Sequence, residues 1–470
     1  MNDSQDRNLT VLAKAVRIVT PSEKEVQRLS FIADDVKKRL QRSFDKLEVK
    51  PEIRLGGSYA KGTWLPGTAD IDFFLLYPVE YSREKLETEA IGAAKAAVKG
   101  YRTNLRFAEH PYVETFVDEA RVNLVPCYKV KSGEWQSAAD RSPFHTEYIQ
   151  KHFDDKLRQE TRLLKKFVRT TGVYGAEVKV HGFSGYVCEV LTLKLGSFQS
   201  VLSRLSNVKG GDVLAIEAYD EDFVRSFKSS IIILDPVDST RNLGTAISTE
   251  NLSKLILQSR NFLARPSLAF FEKSGRGGGK KPSKDLLQRI LVISFKTGPR
   301  SVDVLWGQLY KSLDSLVGKI EFCGFEVLRK RASSNEIDQS AFIFLLRESK
   351  ISKYQLRKGP DVFRGEDFEK YLEKNQKRAT VSWLDSEGRV ESLFEKEKDA
   401  NDIFKLMKAV LKNKKTLDSL GLSKAIREEI TGFTIQSGAE VIGKSSRNTL
   451  WLRNDVISLT HEDEILHATS

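Results

Sequence analysis

Apolar positions in the first third of the chain follow helical spacing in some segments and strand-like runs in others. Residues 29–47 place apolar side chains at helical spacing between charged ones, which predicts an amphipathic helix. The segment Asp70–Tyr77 (DIDFFLLY) is rich in aromatic and aliphatic residues and is followed by a proline, which predicts a strand. A helix over 83–98 and a second strand over 121–130 complete a small α/β unit that ends near residue 145.

The rest of the chain shows a different alternation of patterns. A long basic helix is predicted over 147–170, and an apolar helical stretch follows over 183–205. Residues 274–283 (SGRGGGKKPS) have the composition of a flexible, basic loop. Beyond this loop, strand-like runs at 322–328 and 341–346 predict an α+β fold, and the last hundred or so residues are predicted to be rich in helices.

A chain of 470 residues is long enough for two to four domains. The patterns therefore predict an α+β multidomain protein. The predicted divisions are a head over 1–145, a helical neck over 146–272, a flexible Gly/Lys-rich loop over 273–285, an α+β body over 286–350 and a helix-rich tail, or remainder of the body, over 351–470.

Composition limits the classes of protein to which the chain can belong. The chain has 76 Lys and Arg against 64 Asp and Glu, a net charge of +12 that suits a polyphosphate or nucleic-acid partner but also an ordinary lysine-rich protein. No apolar run is long enough to span a membrane, and the polar N-terminus predicts no secretory signal. The 3 cysteines are far apart in sequence, which excludes a disulfide framework and favours a reducing, cytoplasmic location.

Candidate chemistry lies where Gly56-Gly57-Ser58 precedes Asp70-Ile71-Asp72. Side chains two apart on a strand share a face, so Asp70 and Asp72 lie side by side, and a divalent cation would relieve their repulsion. Oxygen ligands select Mg²⁺ or Mn²⁺ over zinc, and a glycine turn brings backbone N–H groups close to phosphate. Either motif alone is commonly a surface turn. Their order, with the acidic pair opening an apolar strand, favours a nucleotidyl-transfer site.

These motifs and several others resemble those of archaeal-type (class I) CCA-adding enzymes, the tRNA nucleotidyltransferases. The resemblance covers about the first 270 residues and is looser beyond them. It implies a polymerase-beta-like nucleotidyltransferase head with a mixed sheet plus helices, followed by neck, body and tail. The matching segments are 56–64 (GGSYAKGTW), 70–72 (DID), 108–112 (AEHPY), 125–128 (VPCY), 140–146 (DRSPFHT), 162–166 (RLLKK), 172–177 (GVYGAE), 182–186 (GFSGY), 235–238 (DPVD), 241–242 (RN) and 266–268 (PSL).

The resemblance also implies roles for individual residues, which otherwise read as ordinary loop, helix or capping positions. Asp70 and Asp72 match the catalytic metal ligands, with Mg²⁺ as the expected cofactor. Arg241 matches an arginine that hydrogen-bonds the edge of cytosine or adenine. Residues matching other nucleotide-binding positions are Ser58, Lys61, His145, Lys165 and Tyr174. At Lys61 the family usually has arginine, and Asp235 and Asp238 are expected to shape the surroundings of Arg241.

The implied function is template-independent addition or repair of the tRNA 3′-terminal CCA from CTP and ATP, with release of pyrophosphate. The implied partner is tRNA, gripped by its acceptor and T arms, and a homodimer is compatible with the family. Two alternatives remain open at this point. One is a poly(A)-polymerase or oligoadenylate-synthetase-like enzyme, and the other is a catalytically weakened RNA-binding homologue.

The second alternative arises from Asn123, which stands where the family has a third catalytic carboxylate. An asparagine oxygen can ligate Mg²⁺, but it carries no charge and accepts no proton. Asn123 is therefore predicted to be a metal ligand, although the family has a carboxylate at this position. The chain either works with two aspartates plus Asn123, uses another acid such as Asp118 or Glu119, or is weakened. The first reading is preferred, and it predicts that Asn123→Asp raises the rate of nucleotide addition.

Overall fold

The structure is a computed structural model that describes residues 2–107, 111–272, 282–397, 399–443 and 449–461, with side chains from residue 9 onward. Within these ranges no helix is long and apolar enough to cross a membrane. The described residues divide into two compact units, the first within residues 2–272 and the second within residues 282–461. Residues Ala108, Glu109 and His110 of one matching segment, and residues 273–281 of the predicted loop, lie outside the described residues.

The first unit begins with two helices and a mixed sheet and continues as a helical region. Its first elements are α1 (Asn2–Val19), α2 (Glu23–Phe44), β1 (Glu52–Gly56), α3 (Gly57–Lys61), β2 (Asp70–Tyr77), α4 (Arg83–Lys85), a π-helical turn (Leu86–Ala90), α5 (Ile91–Ala97), β3 (Arg102–Phe107), β4 (Pro111–Val117) and β5 (Ala120–Tyr128). These are followed by α6 (Arg141–His152), α7 (Asp155–Thr170), α8 (Gly185–Leu195), α9 (Phe198–Ser206), β6 (Asp212–Leu214), α10 (Glu221–Arg225), β7 (Ile231–Ile233) and α11 (Thr249–Ala264).

The five-stranded sheet of the head has the order β1-β2-β5-β4-β3, with β2 and β5 parallel and the other neighbours antiparallel. Side chains alternate along β2. Ile71, Phe73 and Leu75 are buried in a core shared with α2 and α5. Because successive strand residues point to opposite faces, Asp70 and Asp72 emerge on the face away from those helices. The strand predicted from the sequence is confirmed, and its alternation places the acidic pair.

The helical region that follows the sheet is held by a cluster of phenylalanines. Each ring of this cluster has its centroid within about 6 Å of at least two others, and the members are Phe167, Phe198, Phe262, Phe270 and Phe271. Burying a phenylalanine side chain stabilises a fold by about 1.5–3 kcal/mol. Ala15 and Val19 of α1 join the same core. The cluster fixes α7, which carries Lys165 at the site.

The second unit contains two antiparallel sheets and several helices. One sheet has the order β14-β8-β10-β9 and the other β11-β13-β12. The elements are α12 (Lys284–Gln288), β8 (Ile290–Lys296), α13 (Val302–Phe322), β9 (Val327–Ser334), β10 (Gln339–Leu346), β11 (Tyr354–Asp361), α14 (Gly365–Asn375), β12 (Val381–Leu384), β13 (Arg389–Glu395), α15 (Ile403–Lys412), α16 (Lys414–Ser419), α17 (Lys424–Glu429), β14 (Thr434–Ser437), α18 (Gly438–Gly443) and α19 (Leu450–Thr460).

The structure differs from the sequence predictions in four places. The long basic helix expected over 147–170 is two helices, because α6 ends at His152 and α7 begins at Asp155, capped by the Asp154 side chain. The apolar stretch over 183–205 is two helices, because Gly196 adopts a left-handed conformation (φ +80°) and ends the first. The strand expected over 322–328 begins only at Val327, since α13 extends to Phe322. The tail expected to be helix-rich also supplies strands, and β14 pairs with β8, so both sides of residue 350 contribute to one sheet.

Candidate active site

A strand-to-helix corner forms the first part of the site. β1 ends at Gly56 and α3 begins at Gly57, whose φ is +66°. A Cβ atom at Gly57 would lie 1.8 Å from Oδ2 of Asp72. Only glycine combines this backbone conformation with this close approach. The corner therefore sets Ser58, in the first turn of α3, beside the start of β2.

Asp70 and Asp72 meet two side chains of the parallel neighbour β5. Asp70 is in register with Arg121, and Asp72 with Asn123. Arg121 donates hydrogen bonds to both oxygens of Asp70, one of them 2.7 Å from Nε to Oδ1, while Nδ2 of Asn123 donates to Oδ1 of Asp72 at 2.8 Å. Burial, and to a lesser extent the charge of Asp70, raise the pKa of Asp72 above its ordinary value. A nearby cation would favour the ionised form of this carboxylate.

The oxygens at this position suit a divalent cation. Oδ1 of Asn123 is buried and has no hydrogen-bond partner among the described residues. Mg²⁺ is commonly held by one or two carboxylates, with water and substrate phosphates completing its coordination. Asp70 and Asp72 with the Asn123 oxygen fit that requirement. Within the described ranges, no three His, Cys, Asp or Glu side chains are grouped so as to hold a metal.

The acids considered as substitutes at Asn123 do not lie beside it. Asp118 and Glu119 form the exposed turn between β4 and β5, both with positive φ (45° and 65°). The residue in register with Asn123 on β4 is Glu114, which is buried. One oxygen of Glu114 accepts hydrogen bonds from Asn104 and Arg106, each at 3.0 Å. A third carboxylate thus lies one strand beyond Asn123.

Two predicted nucleotide-binding lysines share a buried carboxylate. Lys61 Nζ lies 2.5 Å from Oε2 of Glu189, and Lys165 Nζ lies 2.7 Å from Oε1. Thr63 donates to Oε1 of Glu189 at 2.5 Å and accepts from Lys165 at 2.9 Å. Burial alone would raise the pKa of Glu189, but the ammonium groups of Lys165 and Lys61 outweigh burial and lower it to about 2. Burial, followed by the charge of Lys165, lowers the pKa of Lys61 although Glu189 opposes this.

A second group of contacts gathers around Asp235. His145 Nε2 lies 2.8 Å from Oδ2 of Asp235, and the His145 ring stacks on Tyr186 with centroids 4.0 Å apart. Tyr186 donates to Oδ1 of Asp235 at 3.1 Å, and an Arg241 nitrogen lies 3.5 Å from Oδ2. Burial lowers the pKa of His145, although the hydrogen bond with Asp235 opposes the shift. Nearby, Asp238 accepts a hydrogen bond of 2.9 Å from Arg141.

A cleft of about 490 Å³ opens between the glycine corner, β2 and α7. Its lining residues are Ser58, Thr63, Trp64, Leu65, Gly67, Thr68, Asp70, Arg121, Lys165, Arg169, Gly172 and Tyr174. Four predicted site residues are in this set: Ser58, Asp70, Lys165 and Tyr174. The other predicted site residues are not in this set, namely Asp72, Asn123, Lys61, His145 and Arg241. The side chains of Lys61, His145 and Arg241 engage Glu189 or Asp235.

Sequence reasoning missed four residues of this region. Glu189 sits in an apolar helix, where a single carboxylate between hydrophobic residues indicates a buried ion pair and could have been noticed. Arg121 is two residues before Asn123 and shares its face, and Arg169 is one helical turn after Lys165. Tyr186 belongs to a matching segment but was given no role. No pattern in the neighbouring sequence predicts that the Tyr186 ring stacks on His145.

Comparisons with known proteins cover both units. The family model for a nucleotidyltransferase domain matches residues 19–153, the one for the second domain of tRNA nucleotidyltransferase matches 159–272, and the one for the C-terminal domain of CCA-adding enzyme matches 288–438. Among solved structures, Cid1 poly(U) polymerase with its product ApU is similar with a TM-score of 0.46 and 14% identity, over 58% of this chain and 99% of the other.

Curated relatives align over most of their length. The CCA-adding enzyme of Sulfolobus acidocaldarius is 35% identical over 408 residues, 86% of this chain and 91% of the relative. That of Pyrobaculum islandicum is 34% identical over 78% of this chain and 86% of the relative. That of Saccharolobus islandicus is 33% identical over 89% of this chain and 97% of the relative. With these identities and coverages, the chain belongs to the family of CCA-adding enzymes, the tRNA nucleotidyltransferases.

Proposed function

We infer that the chain adds or repairs the 3′-terminal CCA of tRNA, using CTP and ATP without a nucleic-acid template and releasing pyrophosphate. The observation that carries this inference is the placement of Asp70 and Asp72 on one face of β2, directly against the Gly57 corner, in a chain that aligns with CCA-adding enzymes over most of its length. The comparisons give no support to a poly(A)-polymerase-like or oligoadenylate-synthetase-like activity.

We assign separate roles in nucleotidyl transfer to the residues of the cleft and to Asp72 and Asn123 beside it. Asp70 and Asp72 hold the divalent cation, with Mg²⁺ as the proposed ion and the Asn123 oxygen as an uncharged third donor. When bound, the ion supplies Lewis-acid stabilisation of phosphate charge and lowers the pKa of the primer hydroxyl. The hydroxyl of Ser58 donates a hydrogen bond to the triphosphate. Lys165, whose charge is offset by Glu189, faces the cleft as a positive group for the phosphates.

Recognition of the nucleotide falls to side chains from the helical region. Tyr174 lines the cleft and packs close to Gly185, where a Cβ would lie 2.8 Å from its hydroxyl. Arg241 is oriented by Asp235, which leaves its other guanidinium N–H groups for the edge of cytosine or adenine. His145 is held in place by the same carboxylate. Lys61 acts on the triphosphate through the ion-pair group around Glu189.

The remaining parts of the proposal concern the whole protein. The proposed domain organisation is a head (1–145), a neck (146–272), a loop (273–285), a body (286–350) and a tail or remainder of the body (351–470), of which the last supplies a strand to the sheet of the body. The basic body and tail grip the acceptor and T arms of tRNA by phosphate and shape contacts. A homodimer and a cytoplasmic location complete the proposal. The location is supported by three free cysteines, of which Cys127 and Cys188 are buried.

The test is Mg²⁺-dependent incorporation of labelled CTP and then ATP into a tRNA transcript that ends at the discriminator base. The wild-type chain is expected to add two C residues and one A, and Asp70→Ala is expected to lose activity. Glu119→Gln, an exposed acid in the turn at the end of β4, is the matched control and keeps wild-type activity. Equal incorporation by wild type and Asp70→Ala contradicts the site assignment, and tight tRNA binding without incorporation favours an inactive RNA-binding homologue.

A further inference from the structure

The face of the head sheet that carries Asp70 and Asp72 also carries Arg121, which has not been given a role above. Arg121 is in register with Asp70 on one side and with Phe116 on the other, and Asn123, two residues on, is in register with Asp72 and Glu114. Residues in register on neighbouring strands point to the same face of a sheet. Three carboxylates, those of Asp70, Asp72 and Glu114, therefore surround one arginine.

The contacts of Arg121 divide unequally between two of these carboxylates. Its Nε and one terminal nitrogen donate to the two oxygens of Asp70, while the other terminal nitrogen lies 3.8 Å from Oε2 of Glu114. A fork of two parallel hydrogen bonds occupies the lone pairs that Asp70 would offer to a metal. In this arrangement the guanidinium competes directly with a divalent cation for Asp70.

Burial shows which partner stays in place and which can move. The side chain of Arg121 is 47% exposed and that of Asp70 30%, whereas Glu114 is only 3% exposed and is fixed by Asn104 and Arg106. Reorienting a half-exposed arginine is cheap compared with moving a buried carboxylate. A shift of about 1 Å would turn the 3.8 Å separation from Glu114 into a direct charge-assisted hydrogen bond.

We propose that Arg121 is a positioning residue shared by Asp70 and Glu114: it holds Asp70 until the cation arrives and then pairs with Glu114. This rests on the proposed metal site at Asp70 and Asp72. Glu114 matters to the cation because it offers the arginine a second partner. In this way Glu114 assists cation binding indirectly, through the arginine, at a site in which Asn123 contributes no charge.

The experiment measures Mn²⁺ binding to the nucleotide-free, full-length protein by electron paramagnetic resonance. Arg121→Gln is expected to bind Mn²⁺ roughly fivefold more tightly, the size of a partly exposed ion pair. Unchanged or weaker binding overturns the proposal. Asp70→Asn identifies the site: if it binds Mn²⁺ as wild type does, the proposed metal site itself fails, whatever Arg121 does.

A double-mutant comparison tests the part played by Glu114. Glu114→Gln is expected to weaken Mn²⁺ binding severalfold in the wild-type background and to have a much smaller effect in Arg121→Gln, because it acts through the arginine. An equal effect in both backgrounds shows that Glu114 attracts the cation directly and overturns the shared-arginine proposal. Glu119→Gln is the control for loss of one nearby negative charge. If Glu114→Gln does not fold, Arg121→Lys decides instead: it keeps the charge but loses the fork, and affinity at or below wild type overturns the proposal.

Discussion

Replacing Glu189 by glutamine tests the buried ion-pair group that it forms with Lys61 and Lys165 beside the cleft. Glutamine keeps the shape of the side chain and an acceptor for Thr63, but it removes the charge that Lys61 and Lys165 share. All three charged side chains are at least nine-tenths buried. The variant therefore confines two ammonium groups in the interior without a counter-charge, at an expected cost of about 3–5 kcal/mol.

A ceiling on this cost follows from lysine chemistry. One lysine can lose its proton instead of remaining charged, and bringing a pKa of about 10.4 down to 7 costs about 5 kcal/mol at about 1.4 kcal/mol per pH unit. The folded-state pKa of that lysine is then below its unfolded value. Above pH 7 the deficit relative to wild type therefore shrinks as the pH rises, by up to about 2.7 kcal/mol between pH 7 and 9.

The assay is thermal unfolding at pH 7 and pH 9, with the transition of the first unit followed by calorimetry. A loss of this size is expected to lower the Tm by roughly 10 °C at pH 7 and by less at pH 9. The matched control is Glu250→Gln, which removes the partner of Lys254 from an exposed pair and is expected to cost less than about 1 kcal/mol. A Tm shift no larger than that of the control, or a deficit that grows with pH, would refute this account of the lysine pair.

Three further predictions concern the catalytic face and the helical region. Asn123→Asp is expected to raise the initial rate of CTP addition by about tenfold at saturating Mg²⁺, about 1.4 kcal/mol of added stabilisation, and an unchanged or lower rate would remove this residue as the limiting feature. Gly57→Ala is expected to lower kcat by about 100-fold because its Cβ displaces Asp72, a proposed metal ligand, whereas Gly100→Ala, also at positive φ but with nothing within 4 Å of the added Cβ and outside the cleft, is expected to keep kcat within a few-fold of wild type; comparable losses would contradict the steric argument. Asp235→Asn is expected to lower the NMR titration midpoint of His145 further, since the carboxylate opposes the effect of burial, and a higher midpoint would disprove that assignment.

The sequence predicted features within a single strand or turn better than it predicted contacts between different elements. The strand Asp70–Tyr77 has the predicted bounds, and alternation within it places both aspartates on one face. The glycine corner is likewise local, and the structure adds the reason for it in the approach of Gly57 to Asp72. Which residues face each other on neighbouring strands was harder to predict from the sequence. The substitutes considered for the missing acid, Asp118 and Glu119, were close in sequence, whereas the register neighbour is Glu114.

The sequence by itself determined the family, the acidic pair and the order of the motifs, because these depend on residue identity and on spacing within single elements. The tertiary structure alone decided which charges meet. It paired Lys61 and Lys165 with Glu189 and set Arg121 against Asp70. The physical reason is that strand register and helix packing bring together side chains that are distant in the chain, such as Lys61 and Glu189 at 128 positions apart, and their burial then makes each charge depend on its partner.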